Sequence, residues 1–126
     1  MVPEIIRYQS PVAHMRRTAL EDAELGGKAI KKGEKVIMWY VSSNRDASRY
    51  EEPDRFDVHR NPEHQAFGAG GRHFCLGTAL ARLELRVMFE EMAKAWSSIE
   101  AAGPAERFRS NFISGTKKLP VRVTWR

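Results

Sequence analysis

The chain has 126 residues, of which 42% are hydrophobic and 29% charged, and its formal net charge is +5. This balance is typical of a globular domain with a modest core and excludes a largely disordered chain. No apolar run is long enough to span a membrane, and no aromatic-interleaved basic stripe of a nucleic-acid groove is found. The single cysteine and the lack of a basic, apolar leader predict a cytoplasmic protein without an internal disulfide.

A short helix is predicted at the start of the chain, over Pro3–Tyr8. Proline is well tolerated in the first helical turn, where its missing N–H costs least. Glu4 and Arg7 stand three residues apart and share one helix face, where a surface pair contributes a few tenths of a kcal/mol. Pro11 ends the helix and is expected to push Ser10 into an extended conformation.

Short strands are predicted for the next part of the chain. Val12–Ala19 has the pattern of an extended segment, and the turn sequences Leu25–Gly27 and Lys32–Gly33 bracket further short strands. Val36–Val41 is a continuous apolar run, which predicts a buried strand or a strand that passes into a helix. The irregular stretch that follows, as far as Phe56, is long for a connection without periodicity, which indicates a function of its own.

The stretch that carries chemistry is the loop Ala66–Gly77, which presents the only cysteine, Cys75, at the start of a predicted helix. Three glycines among four residues leave the backbone free to adopt positive φ angles and to lie against a broad surface. A sulfur at a helix N-terminus lies near unpaired amides and the positive end of the helix dipole, which favours the thiolate.

Several interpretations of this loop compete. A buried structural cysteine leaves the glycines unexplained, and a dinucleotide-binding loop is disfavoured because His73 occupies the third glycine position. A zinc site with His59 and His64 lacks paired ligand spacing. A thiol-nucleophile enzyme using Cys75 with His73 lacks an orienting third group. A haem-thiolate loop accounts for the flexible backbone and the thiolate together.

A long helix is predicted from Leu76 to about Trp96, and the chain ends in extended segments. Two neighbouring apolar stripes give the helix an apolar face wider than a surface helix usually carries. The final segment, Leu119–Trp125, alternates apolar with polar residues and therefore predicts a strand.

Two motifs resemble the cytochrome P-450 family. The first is the sequence Phe-Gly-x-Gly-Gly-x-His-x-Cys-x-Gly over residues 67–77, followed by Ala-Leu-Ala-Arg over residues 79–82. The second is the Glu-x-x-Arg pair of Glu4 and Arg7. The aromatic residue stands one position further from the cysteine than in the commonest family pattern. A longer loop with histidine two residues before the cysteine is similar to that of bacterial, including actinobacterial, members.

The resemblance covers almost the whole chain but implies only the C-terminal portion of the family's fold. The expected fold class is α+β, the C-terminal part of the mainly helical cytochrome P-450 fold. Its expected parts are a short Glu-x-x-Arg helix, small β hairpins, a meander, a cysteine-ligand loop, a long haem-packing helix and a C-terminal β hairpin. The hairpin is expected from Arg109–Thr116 and Leu119–Trp125. Because family members are several-fold longer, residues 1–126 are expected to form a single incomplete domain.

The resemblance implies haem b as the cofactor, with the Cys75 thiolate as the axial iron ligand. Arg16 would bind a haem propionate, or Arg17 if the strand register shifts by one residue, and His73 would reach a propionate as well. The other cofactor-binding residues that it implies are Phe67, Gly68, Gly70, Gly71, Leu76, Gly77 and Ala81.

Two further groups of residues are implied by the resemblance. Glu4, Arg7 and Arg55 would form a buried structural charge triad, whose members have to satisfy one another. The expected substrate-lining residues are Val12, His14, Phe112 and Ile113. The residue pattern alone is equally compatible with His14 as a surface residue on a strand.

The implied activity is that of a haem-thiolate monooxygenase. Such an enzyme uses O₂ and electrons from a redox partner, here of the ferredoxin type and docked near Arg82, to hydroxylate a small apolar substrate such as a sterol or another lipid. For Arg82 a plain solvated arginine is an equal alternative. The family's long central helix, which delivers protons to bound dioxygen, has no counterpart in these residues. A truncated, non-catalytic remnant that does not turn over alone is therefore the second hypothesis.

Overall fold

The computed structural model describes all 126 residues and contains three α-helices and eight strands. The helices are α1 (Val2–Gln9), α2 (Tyr40–Ser43) and α3 (Thr78–Ala95). The strands are β1 (His14–Thr18), β2 (Ala23–Leu25), β3 (Lys28–Ile30), β4 (Lys35–Trp39), β5 (Trp96–Ala101), β6 (Glu106–Arg107), β7 (Thr116–Lys118) and β8 (Val121–Trp125). They pair into four separate two-stranded antiparallel sheets, so the predicted α+β class is confirmed.

Helix α1 ends at Ser10, whose conformation differs from the expected one. Ser10 has φ 43° and ψ 73°, which places it in the left-handed region rather than the extended one. Its hydroxyl donates to the carbonyl of Arg7 at 2.7 Å and accepts from Nδ2 of Asn44 at 2.7 Å. These two buried hydrogen bonds offset the cost of the unusual backbone conformation.

The first two sheets connect α1 to the middle of the chain. Strand β1 pairs with β4, and Arg17 lies opposite Val36. Strands β2 and β3 form a hairpin through Gly26 and Gly27, whose φ angles of 58° and 76° suit a tight two-residue turn. Strand β4 continues directly into α2, which is the strand-to-helix passage that the apolar run Val36–Val41 predicted as one alternative.

The last strand is confirmed, but its expected partner is wrong. Strand β8 pairs with β5, which follows α3 directly, and Val123 lies opposite Ile99. Strands β6 and β7 form a separate hairpin whose tip holds Phe112 and Ile113. The Ser110 hydroxyl accepts hydrogen bonds from both of their amides, at 3.1 and 3.0 Å. These amides therefore belong to a turn and are not available for a ladder with β8.

Most of the apolar surface of the chain is exposed. Only eight of the 126 residues are buried, and the accessible area is 9819 Å². A compact monomer of 14.4 kDa would expose about 6,800 Å², so about 3,000 Å² is in excess. Part of this excess lies on α3, where Leu80, Leu83, Val87 and Met88 are between 45% and 59% exposed. None of the helices combines the length and the apolar character that crossing a membrane requires.

Candidate functional site

The loop before α3 folds around the backbone amide of Cys75. This amide donates to the carbonyl of Phe67 at 3.0 Å and closes the glycine-rich segment, with a 3-10 turn over Gly71–His73 inside it. Gly68 and Gly70 have φ angles of 91° and 98°, which residues with a Cβ rarely adopt. The loop holds the cysteine backbone in place while its side chain stays exposed.

Thr78 fixes the other side of the cysteine. Its hydroxyl donates to the carbonyl of Cys75 at 2.7 Å, and its amide donates to the same oxygen at 3.3 Å. These two hydrogen bonds tie the first residue of α3 to the carbonyl of Cys75, while Gly77 occupies the N-cap position without a side-chain cap. Sequence reasoning missed Thr78, although threonine often donates its hydroxyl to a backbone carbonyl three or four residues earlier.

An open cavity of about 340 Å³ lies beside Cys75. Six of its nine lining residues are hydrophobic. They come from the segment after α1, from β1, from the start of α2 and from the cysteine loop, and they are Pro11, Val12, Met15, Arg17, Tyr40, Ala66, Phe67, His73 and Cys75. The fold thus places one thiol and two nitrogen-bearing side chains around a largely apolar space.

The cationic residue of β1 that faces this cavity is Arg17 and not Arg16. Arg17 forms part of the cavity wall, whereas Arg16 is exposed. Neighbouring residues of a strand point to opposite faces, so only one of the two arginines can reach the space. The cavity wall thus contains Arg17, the alternative to Arg16, and the binding of a propionate by either arginine stays a prediction.

Of the four expected substrate-lining residues, only Val12 lines this cavity. His14 points to the other face of β1, where its ring centroid lies 4.8 Å from that of Trp39 and 5.7 Å from that of Phe112. Ile113 pairs with Val12 through an isolated β-bridge. The hairpin tip therefore lies beside β1 as expected. His14 and Phe112, however, belong to an aromatic cluster outside the cavity, because strand residues alternate between faces.

A second opening of about 300 Å³ follows the glycines of the loop. Only three of its nine lining residues are hydrophobic. The lining residues are Arg17, Met38, Tyr40, Gly68, Ala69, Gly70, Gly71, Arg72 and His73. The expected cofactor-binding glycines and His73 therefore lie together, beside the Cys75 cavity.

The remaining expected cofactor-binding residues lie around the start of α3. Gly77 is close to the sulfur, because a Cβ on it would stand 3.8 Å from Sγ of Cys75. Leu76 is fully exposed, and Ala81 is half-buried one turn into the helix. No protein group contacts the exposed Leu76 side chain closely enough to bury it.

Glu4 and Arg7 form a fully buried ion pair. Nε of Arg7 donates to Oε2 of Glu4 at 2.7 Å, and Nη2 donates to Oε1 at 2.8 Å, so the pair is bidentate. Nη1 of Arg7 donates to the carbonyls of Asn44 and Pro53 at 2.7 and 2.9 Å. Both side chains are 0% exposed, which rules out the surface pair as an interpretation of this motif.

The third charge in this cluster is Arg60 and not Arg55. Nε of Arg60 lies 3.4 Å from Oε1 of Glu4. The guanidinium of Arg55 pairs instead with Glu52 at 2.8 Å, and both of these side chains are more than 60% exposed. Arg55 reaches Arg7 only through its backbone carbonyl, at 3.3 Å. The loop path decides which arginine turns inward, and nothing in the sequence singled out Arg60.

The charges of this cluster stabilise one another. Burial raises the pKa of Glu4, but hydrogen bonds from Arg7 and from the amide of Asp57, with the positive charges of Arg7 and Arg60, hold it below its ordinary value. The hydrogen bond to Glu4 raises the pKa of Arg7. Both groups therefore stay ionised, and the cluster has a structural role close to the cysteine loop.

His64 packs beside Phe67 of the cysteine loop. Their ring centroids are 5.5 Å apart, and the guanidinium of Arg82 lies 5.8 Å from the centre of the Phe67 ring. Both ring nitrogens of His64 are buried without a hydrogen-bond partner. Burial, together with the positive charge of Arg82, lowers the pKa of His64, so this imidazole is neutral near pH 7.

The residues around the Cys75 cavity fit a haem. Its planar, apolar ring suits the apolar walls, its iron suits an exposed thiolate, and its carboxylates suit Arg17 and His73. No three His, Cys, Asp or Glu side chains are grouped so that they could hold a metal ion by themselves. A metal bound at this single thiolate would therefore have to bring its other ligands with it, as the iron of haem does.

Comparison with known proteins assigns the chain to a family. The model of the cytochrome P450 family matches residues 1–119. Linalool 8-monooxygenase of Pseudomonas putida is 50% identical over 119 residues, which are 94% of this chain and 29% of that protein. The methyl-branched lipid omega-hydroxylase of Mycobacterium tuberculosis is 49% identical over 125 residues, which are 98% of this chain and 29% of that protein.

The fold gives the same assignment. The solved structure of CYP108D1 from Novosphingobium aromaticivorans matches with a TM-score of 0.92 at 41% sequence identity, over 98% of this chain and 30% of that one. The chain thus spans less than a third of the length of these relatives. It belongs to the cytochrome P450 family, and its fold is the C-terminal portion of the cytochrome P450 fold.

Proposed function

We propose that the chain is the haem-binding portion of a bacterial cytochrome P450 monooxygenase, with Cys75 as the axial iron ligand. The observation that carries the proposal is the exposed thiol of Cys75, held from both sides by backbone hydrogen bonds at the mouth of a largely apolar cavity. The family assignment supports the same cofactor.

Several residues of the chain would hold haem b. The thiolate of Cys75 would bind the iron, Phe67 would pack beside the ring, and Arg17 and His73 would bind the carboxylates. When bound, the haem would supply the oxygen chemistry, and a thiolate ligand favours cleavage of the O–O bond by donating electron density. The amides at Leu76 and Gly77, next to the cysteine in the chain, would donate to the sulfur and tune its electron density.

We propose a small apolar substrate, such as a sterol or another lipid, and a ferredoxin-type partner in the cytoplasm. The names of two relatives, a linalool monooxygenase and a methyl-branched lipid hydroxylase, support an apolar substrate. The positive charge of the exposed Arg82, near the start of α3, would attract an acidic redox partner.

The proposal is tested by the absorption spectrum of the chain with haem. The chain is loaded with haem, reduced and exposed to carbon monoxide, and thiolate ligation is expected to give the red-shifted Soret band typical of this ligand. Cys75→Ala should remove the band. Cys75→His should keep haem bound but return the band to the position typical of imidazole ligation. Wild-type haem uptake without the red shift would overturn Cys75 as the ligand.

The large exposed surface favours a second candidate function, that of a truncated remnant that does not turn over alone. With eight buried residues and an accessible area of 9819 Å², the chain leaves apolar helix faces without partners. A chimera separates the two candidates, with this chain replacing the matching segment of CYP108D1. If the chimera hydroxylates an apolar substrate and the isolated 126-residue chain does not, the chain is a competent haem-binding portion that needs the rest of the enzyme for turnover. Loss of the red-shifted band in the chimera would support the remnant.

A further inference from the structure

Tyr40 occupies a position that the haem-binding residues inferred from the sequence do not include. It is the first residue of α2, and its side chain lines both the cavity of Cys75 and the opening along the glycines. Only Arg17 and His73 share this double position. The Tyr40 side chain therefore lies beside the two nitrogen-bearing side chains of this site, between the two spaces.

The backbone of Tyr40 is held firmly, whereas its hydroxyl is free. The amide of Tyr40 donates to the carbonyl of Ala13 at 3.0 Å, and its carbonyl accepts from the amide of Asn44 at 2.9 Å. Among the three tyrosines of the chain, only the hydroxyl of Tyr50 bonds to a protein group. The Tyr40 hydroxyl is thus a fixed polar group without a protein partner.

The hydroxyl points at the cysteine loop. It lies 3.5 Å from the position that a Cβ on Gly68 would take, and Gly68 is buried with φ 91°. A Cβ on Gly68 would make an ordinary contact with the hydroxyl, and only the positive φ disfavours a side chain there. The hydroxyl therefore lies at contact distance from the glycine-rich segment of the loop.

A ligand that combines an apolar ring with carboxylates would place its carboxylates beside Arg17 and His73, since an ionised carboxylate is costly in a largely apolar space unless it is hydrogen-bonded. We propose that the Tyr40 hydroxyl donates a hydrogen bond to a cofactor carboxylate, as a third donor beside Arg17 and His73. This proposal rests on the haem site proposed above and adds a residue to it.

The test compares haem with haem dimethyl ester, whose carboxylates are blocked. Both are titrated into the 126-residue chain and into the CYP108D1 chimera, and affinity and release rate are measured spectroscopically. Tyr40→Phe removes only the hydroxyl and is expected to weaken the binding of haem about tenfold, since hydrogen bonds to charged groups are worth this much. The binding of the dimethyl ester should weaken clearly less, because its neutral carbonyls accept weaker hydrogen bonds than a carboxylate does. Tyr8→Phe, on α1, serves as the matched control and should change neither.

Each outcome decides the proposal. If Tyr40→Phe weakens the binding of haem and of the ester equally, the hydroxyl does not recognise the carboxylate. Tyr40 then has a purely structural role beside Gly68, and the inference is overturned. An unchanged haem affinity in Tyr40→Phe, with the red-shifted carbon monoxide band intact, would overturn the inference alone. A wild-type chimera that takes up no haem would overturn the proposed function and, with it, the carboxylate role of Tyr40.

Discussion

The side chains buried most completely in this chain are polar, and many of its large apolar side chains are exposed. Glu4, Arg7, Ser10 and Asn44 are at most 1% exposed, whereas Leu76 is fully exposed and Leu80 is 59% exposed. A self-contained domain has the opposite distribution. The buried polar cluster around Glu4 and Arg7 and the exposed apolar face of α3 therefore differ in whether their side chains find partners within this chain.

The buried polar cluster is completed by groups of this chain. The donors of Arg7 are taken up by Glu4 and by three backbone carbonyls, and Asn44 bonds to Ser10 and to the amide of Gln65. The apolar face of α3 has no comparable partners. The comparison teaches that the cluster is satisfied by groups of this chain and bonds to the segment before the cysteine loop at Gln65, whereas the apolar α3 face is left without partners among these residues.

The largest effect is expected from Arg7→Ala. Removal of Arg7 leaves the buried charge of Glu4 without its bidentate partner, with only Arg60 and the amide of Asp57 nearby, and breaking such a pair costs about 3–5 kcal/mol. Urea unfolding followed by circular dichroism measures the loss. Arg55→Ala is the matched control and should change stability by no more than about 0.5 kcal/mol, because its side chain is exposed. A large loss in Arg55→Ala would restore the charge triad expected from the sequence.

A smaller loss, about 2 kcal/mol, is expected from Asn44→Ala, since it removes two buried side-chain hydrogen bonds of 2.7 Å each. The exposed Asn61→Ala is the control, and both variants are compared by their urea midpoints. If Asn44→Ala behaves like Asn61→Ala, the cluster is not the stable centre of the chain.

His64 should make the stability of the chain depend on pH. Burial and the positive charge of Arg82 lower its pKa in the folded chain, so the unfolded chain binds more protons and stability falls as the pH drops below about 6.5. His64→Phe should flatten this slope below about pH 6.5, whereas His59→Phe, at an exposed position, should not. An unchanged slope in His64→Phe would contradict a neutral, buried imidazole under the loop.

The smallest effect in the isolated chain is expected from Leu80→Gln on α3. Because Leu80 is 59% exposed, the substitution should change the free energy of unfolding by about 0.5 kcal/mol or less. In the CYP108D1 chimera the same substitution should cost about 1.5–3 kcal/mol, if the added polypeptide covers this face. Equal effects in both proteins would show that the α3 face stays exposed in the longer protein.

The sequence by itself determined the local features of this protein. Three short-range patterns predicted the right type of local structure. They are the glycine-rich loop before a long helix, the turn at Gly26 and Gly27, and the alternation of β8. The Glu-x-x-Arg spacing likewise placed Glu4 and Arg7 on one face. These features depend on backbone preferences within a few residues, which a single sequence contains.

Only the tertiary structure decided which of several chemically equal residues reaches each site. Arg17 replaces Arg16 because the register of β1 against β4 sets the face, and Arg60 replaces Arg55 because the loop path sets which guanidinium turns inward. The pairing of β8 with β5 and the position of Tyr40 depend in the same way on contacts between distant segments. Adjacent arginines and alternating strands look alike in sequence, and only long-range packing separates them.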